Sequence, residues 1–263
     1  MFAQKRREII THLVKIEGQV MVKELSGRFN VTEDCIRKDL ALLEREGVLS
    51  RLYGGAVKSR TNPHEADVIQ RLGKNPEIKK NIAAAALGLI KKGDTVFIDV
   101  STTGAELARL IATSDLEVTV VSNMVNVMLA LSSPCKAEFF FIGGSFSPGR
   151  DSFFGAAAIA SIRQFRFDSA FMGTAGVDLY RNRIETYLAD DGLTKQAVLG
   201  SAKNKFLLLE ARKLSNEAPF RYAGLDDFTG IITAEKLNEK TLEALTKYRV
   251  NHFQNSVSFE NGF

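Results

Sequence analysis

Three places in this chain gather hydroxyls, amides and glycines where an apolar run ends. The run that begins at Thr95 ends in Asp99-Val100-Ser101-Thr102-Thr103-Gly104 and opens directly into a helical pattern. Hydroxyls beside the unpaired N–H groups of a helix start suit a phosphate, because those groups point outward at the positive end of the helix dipole. Ser101 or Thr103 acting as an ordinary N-cap accounts for the same spacing equally well. A second run ends in Ser122-Asn123 and a third in Gly143-Gly144, with Ser152 and Gly155 downstream, where missing side chains let backbone approach a ligand. Each is compatible with turn chemistry alone, but their recurrence at one sheet edge predicts a pocket. The paired acids Asp190-Asp191 and Asp226-Asp227 suggest acid–base work, although such pairs are more often surface or cap residues. Cys35, Cys135 and the scattered His12, His64 and His252 have neither metal-ligand nor disulfide spacing, so no metal and no cofactor is expected.

A different chemistry is written into the first sixty residues. They hold twelve Lys or Arg against eight Asp or Glu, whereas the other 203 residues hold 23 of each sign. A segregated surplus of this kind attracts a polyanion, whose counterions are released on contact. Ile9, Ile10, Leu13 and Ile16 recur at helical spacing behind Lys5, Arg6 and Arg7, predicting a helix from about Gln4 to Ile16 that Gly18 ends. A second helix is expected over Val22 to Phe29, closed by Asn30, and a third from an N-cap at Thr32 to about Glu46, stopped by Gly47. Val48 to Tyr53 alternates like a strand, meets Gly54-Gly55 and returns through Ala56-Val57. Three short helices and a hairpin make a winged helix-turn-helix, whose third helix enters the major groove of duplex DNA. Arg37 and Lys38 then sit where base edges and phosphates are reached, and Arg51 and Tyr53 lie beside the sugar-phosphate backbone. Read blandly, the same hairpin is structural only.

The elements that must position the first chemistry follow a linker. Lys58 to Asp67, with Pro63 and few apolar residues, reads as a hinge. Helices expected over 78–91, 105–111, 125–131, 156–164, 188–203 and 234–247 then alternate with strands over 95–100, 118–122, 137–142, 169–173, 206–210, 230–233 and 250–253. Unbroken apolar strands separated by helices imply a largely parallel sheet covered on both faces, with ligands at the carboxyl ends of its strands. The fold class expected is α/β, a small winged helix-turn-helix domain followed by a larger Rossmann-like, mostly parallel-sheet domain. The boundaries are 1–58 for the DNA-binding domain, 59–74 for the linker, 75–255 for the sensor and 256–263 for the tail.

Thr32-Glu33-Asp34-Cys35-Ile36-Arg37-Lys38-Asp39-Leu40, followed by Leu43-Glu44 and the stretch Gly47 to Gly55, resembles the signature of the DeoR family of bacterial transcriptional regulators. That family usually has Thr and a second Arg where this chain has Cys35 and Lys38. Lys38 keeps the charge without the bidentate fork, which suits a phosphate better than guanine. Cys35 is either a weak base contact or a half-buried helix residue. The resemblance places Arg6, Thr32, Glu33, Cys35, Ile36, Arg37, Lys38, Arg51 and Tyr53 at the DNA.

The second half is similar to that family's sensor domain, whose fold is that of ribose-5-phosphate isomerase and whose ligands are phosphorylated sugars or related metabolites. Ile98 to Thr103 matches its phosphate loop, Ser122-Asn123 its Thr-Asn strand end, Gly143-Gly144 with Ser152 and Gly155 its Gly-Gly segment, and Phe171 to Asp178 a further stretch. The implied effector residues are Asp99, Ser101, Thr102, Thr103, Ser122, Asn123, Gly143, Gly144, Ser152, Gly173 and Lys213. Arg71 and Lys79 fall where the family often has an Arg and a Lys. This chain departs from the family at Glu210-Ala211-Arg212-Lys213-Leu214, at Tyr180 to Arg183 and at Leu188 to Asp191, which points to an unusual ligand.

These readings lead to a cytoplasmic DNA-binding regulator, a repressor of a sugar or carbohydrate operon. Its partners would be a double-stranded DNA operator, a phosphorylated sugar as effector, and at least one further copy of itself, since paired half-sites require a dimer or higher homo-oligomer. No membrane partner is expected, and the longest apolar run, Ile82 to Ile90, is too short to span one. The competing class is a sugar-phosphate isomerase or deaminase with a fused DNA-binding module. Isomerisation needs a carboxylate base beside the carbonyl carbon, and no spacing commits one. A nucleic-acid-binding structural protein leaves the α/β half without a purpose.

Overall fold

Periodicity and alternation resolve into two compact units, Met1–Ala66 and Asp67–Phe263, in a computed structural model that describes residues 3–45, 48–58 and 71–254. The expected helix stop at Glu46-Gly47, the inward face of Ile16, linker residues 59–70 and the tail 256–263 lie outside the described residues.

The first unit contains α1 (Ala3–Glu17), β1 (Gln19–Met21), α2 (Val22–Phe29), α3 (Glu33–Arg45), β2 (Leu49–Leu52) and β3 (Gly55–Lys58). Gly18 at φ 77° ends α1, and Asn30 at φ 50° closes α2. The Thr32 hydroxyl accepts from the Cys35 N–H at 3.3 Å and starts α3. Ile10, Leu13 and Val14 of α1, Val22, Leu25 and Phe29 of α2, and Ile36, Leu40 and Leu43 of α3 bury one common core. Each such side chain contributes on the order of 1.5–3 kcal/mol by leaving water. The three strands pair antiparallel in the order β1-β3-β2. The three-residue strand β1 is too short to show alternation in sequence. It also fixes Gly55, where a side chain would strike the Val20 carbonyl.

The second unit runs α4 (Pro76–Leu87), β4 (Thr95–Ile98), α5 (Thr102–Thr113), β5 (Thr119–Ser122), α6 (Val125–Ala130), β6 (Glu138–Phe141), β7 (Ser145–Ser147), β8 (Ser152–Phe154), α7 (Ala156–Ile162), β9 (Phe167–Met172), β10 (Gly176–Asp178), β11 (Arg183–Thr186), α8 (Ala189–Ser201), β12 (Ala202–Leu208), β13 (Phe220–Ala223), β14 (Gly230–Thr233), α9 (Glu239–Lys247) and β15 (Asn251–Gln254). Seven strands form one parallel sheet in the order β15-β14-β12-β9-β4-β5-β6. Alternate residues of each strand feed two cores. Val96, Ile98, Val120, Phe171 and Leu208 pack with α4, α5 and α6, while Phe97, Val121, Ala170, Met172 and Leu207 pack with α7 and α8. From β4 the chain proceeds outward to β5 and β6, then returns to β9 on the other side. The boundary between β4 and β9 is therefore the switch point at which open α/β sheets hold ligands.

The sequence reading differs here in detail. α9 begins at Glu239 instead of Ala234, because the Asn238 side chain accepts from the Thr241 N–H at 2.9 Å and caps the helix there. The antiparallel sheet β10-β11-β13 and the hairpin β7–β8 had no counterpart in the sequence reading, since their strands have only three or four residues and β13 is distant in sequence. No helix among the described residues is long and apolar enough to cross a membrane.

Candidate functional sites

In the first unit α3 presents Arg37 and Lys38 outward, and the wing turn presents a fully exposed Tyr53. Each basic side chain holds an acid of its own unit. Arg37 pairs with Glu33 at 2.6 Å, Lys38 with Asp34 at 3.0 Å and Arg51 with Glu44 at 2.7 Å. Glu44 also accepts from the Arg51 backbone N–H at 2.8 Å, so α3 carries the wing strand by two bonds. The bonds from Arg51 hold the Glu44 carboxyl below the usual range. Exposed pairs of this type exchange readily for a phosphate, because solvent screens them.

Two of the expected contacts have other work. Arg6 is buried, donates to Asp39 at 2.6 Å and reaches the Cys35 sulfur at 3.2 Å. The bond to Asp39 raises its pKa, and the pair ties α1 to α3 inside the module. Ile36 is wholly buried in the core. Neither offers a surface to DNA, and sequence alone could not tell Arg6 from its exposed neighbours. Thr32 is the α3 cap, Cys35 is half-buried, and Glu33 is exposed beside Arg37.

In the second unit the switch point brings the strand ends together. The Ser101 hydroxyl accepts from the Gly104 N–H at 2.8 Å and caps α5, so the capping role and the start of a phosphate-type helix coincide. Thr102 and Thr103 follow within the first turn. Asp99 accepts from the Gly173 N–H at 2.7 Å, which binds the end of β4 to the end of β9. A side chain at Gly173 would come within 2.6 Å of Ser101 Cβ. Ser122 and Ser152 are wholly buried and donate to the main-chain carbonyls of Ile98 at 2.7 Å and Arg150 at 3.0 Å. Gly144 makes room for the Phe154 carbonyl, 2.6 Å from where its Cβ would stand, so it serves the hairpin β7–β8. Gly143 is exposed beside it. Asn123 donates to the Phe153 carbonyl at 2.7 Å, and its own buried Oδ1 has no partner.

Two charged groupings occupy this edge. In the first, Lys195 of α8 reaches Asp99 directly and stands 3.6 Å from Asp191, and all three side chains are buried. Asp191 also accepts from Thr186 at 2.5 Å. Burial raises the Asp191 carboxyl, with Asp99 adding to the shift. Burial pulls the Lys195 ammonium down, but Asp191 and Asp99 outweigh it and its pKa is raised. In the second, Arg71, Lys79, Arg212 and Lys213 share a corner with Glu210. Glu210 accepts from Asn75 and twice from Arg212, each at 2.9 Å. Lys213, half-buried, donates to the Thr174 carbonyl at 2.8 Å and the buried Lys79 to that of Arg71, so both ammoniums meet carbonyls in place of carboxylates. Burial lowers Lys79, and it lowers Lys213 to about 8, with Arg212 and Arg71 pushing both the same way. The cations of this corner outnumber the carboxylates Glu106, Glu210 and Glu235 that act on them.

Asp191 and Lys195 are the charged residues at this edge that the sequence did not single out. Asp191 was read as half of a surface pair, yet its spacing four residues before Lys195 was a usable signal that both lie on one helix face. Asp190, Asp226 and Asp227 follow the bland reading; Asp227 accepts from the Gly224 N–H at 2.7 Å within a short turn. Among the described residues no group of three His, Cys, Asp or Glu could hold a metal ion.

Comparison with known proteins adds a second line. Residues 6–61 match the family model of a DeoR-like helix-turn-helix domain, and residues 74–235 that of a DeoR C terminal sensor domain. The lactose phosphotransferase system repressor of Lactococcus lactis subsp. lactis is 32% identical over 94% of this chain and 97% of its own. A putative aga operon transcriptional repressor of Escherichia coli O157:H7 is 31% identical over 92% of this chain and 90% of its own. A solved ribose 5-phosphate isomerase A from Methanocaldococcus jannaschii overlaps 53% of this chain and 55% of its own at 15% identity, with a TM-score of 0.40.

Proposed function

The chain belongs to the DeoR family of DNA-binding transcriptional regulators, and from that premise we propose that it represses a sugar-metabolism operon and is released by a phosphorylated sugar. The reading head spans 1–58, the linker 59–74, the sensor 75–255 and the tail 256–263. Arg37, Lys38, Arg51 and Tyr53 meet the duplex, with Thr32, Glu33 and Cys35 at the mouth of the groove and Arg6 positioning α3 from within. The protein works in the cytoplasm as a dimer or larger homo-oligomer, and it acts by binding, without turnover.

One observation carries the effector reading. Lys79 is buried and Lys213 half-buried, and among the described residues their ammoniums are hydrogen-bonded to carbonyls alone, with Arg212 near both. A cation withdrawn from water with no carboxylate bonded to it is costly, and an incoming dianion reduces that cost. We place the phosphate between this corner and the Thr102–Thr103 start of α5, where N–H groups and hydroxyls complete its shell. Asp99, Ser101, Ser122, Asn123, Gly143, Gly144, Ser152 and Gly173 line or shape the remainder of the pocket. Calorimetric titration of the full chain with pentose and hexose phosphates tests this. Micromolar binding of at least one, lost in Lys213→Met, is expected; binding that ignores Lys213 refutes the placement.

A further inference from the structure

The cationic corner explains where a phosphate goes but leaves the Asp99–Lys195–Asp191 grouping without a task. Two buried carboxylates share one ammonium. One oxygen of each acid is engaged: Asp99 Oδ2 by Gly173 and Lys195, Asp191 Oδ2 by Thr186. Asp191 Oδ1 faces the same Lys195 at 3.6 Å, so the two acids share one ammonium. A third acceptor stands beside them. Phe97 lies opposite Val121 in the β4–β5 register, and continuing that register two residues sets Asn123 opposite Asp99, with its Oδ1 buried and without a partner.

Purely structural buried groups find partners, because an unmet buried acceptor costs about 1–3 kcal/mol. One unmet acceptor, Asn123 Oδ1, beside two carboxylates that share one ammonium calls for a donor from outside. A phosphate supplies none and is repelled by the acids. Hydroxyl groups fit, since each gives one O–H and accepts one bond, here from Lys195. The two ends of the pocket therefore differ in sign: cationic at Lys79 and Lys213, acceptor-rich at Asp99, Asp191 and Asn123.

We propose that Asp99, Asp191 and Asn123, gathered around Lys195, read adjacent free hydroxyls on the effector's carbons remote from its phosphate. The effector is then a fully hydroxylated sugar phosphate bound in one orientation, and deoxy sugar phosphates are rejected. This rests on the effector reading above and adds the specificity to it.

Paired ligands test it on the unaltered full chain: ribose 5-phosphate against 2-deoxyribose 5-phosphate, glucose 6-phosphate against 2-deoxyglucose 6-phosphate, and inorganic phosphate alone, each by calorimetry. At least one hydroxylated member is expected to bind tenfold or more tightly than its deoxy partner. Equal affinity within every pair that binds overturns the hydroxyl reading and leaves the effector class intact. Failure of every sugar phosphate to bind, with or without capture of inorganic phosphate, overturns the effector class itself. Asp191→Asn, which replaces one acceptor oxygen by a donor, should lower sugar-phosphate affinity at least tenfold more than inorganic-phosphate affinity. If that variant fails to fold, the deoxy comparison decides alone.

Discussion

At the scale of single residues, the sharpest consequence belongs to Lys213. Its pKa of about 8, set by burial, lies below the value the unfolded chain would show. The unfolded state then binds more protons between about pH 8 and the ordinary lysine range, so this group's contribution to stability is lowest below pH 8 and rises above it. An anion reverses the penalty by raising the pKa in the complex. Sugar-phosphate affinity should be flat from pH 7 to nearly 8 and about tenfold weaker by pH 9, and Lys213→Arg should flatten that profile, because arginine stays charged. Calorimetry across this range checks both. At the other end of the chain, Arg51→Ala should weaken every duplex evenly and lower the salt slope by about one per protomer, whereas Arg37→Ala should cost more on the operator than on random DNA.

At the scale of elements, the helix-turn-helix was readable because its spacing and punctuation agree. Ile36, Leu40 and Leu43 keep the period, Asn30 closes one helix, and Thr32 opens the next. The parallel sheet was readable for a similar reason, since Phe97, Val121 and Leu207 sit in unbroken apolar runs. What stayed hidden depends on partners distant in sequence. β11 is completed by β13, which pairs Glu185 with Arg221, and Lys195 finds Asp99 from 96 residues away. A single methyl tests the closest of these joints. Gly173→Ala sets its Cβ against Ser101, so it should cost about 1–3 kcal/mol in denaturant unfolding and weaken sugar-phosphate binding together. By contrast, replacing Thr102 and Thr103 with Ala should abolish the ligand response while operator binding persists, as mobility shift with and without ligand can show.

At the scale of the whole molecule, most of the surplus positive charge sits in one unit, and the Asp99–Lys195–Asp191 grouping and the Lys79–Lys213 corner sit in the other. A ligand moves a DNA-binding equilibrium only by its different affinity for the DNA-competent and DNA-incompetent arrangements, commonly a coupling of about 1–3 kcal/mol. The direct measurement is anisotropy of a labelled operator duplex, selected from genomic fragments by the protein, titrated with and without a saturating hydroxylated sugar phosphate. Operator affinity at least fivefold weaker in the presence of the sugar phosphate is the expected result. A sugar phosphate that binds the chain yet leaves operator affinity unchanged contradicts the account.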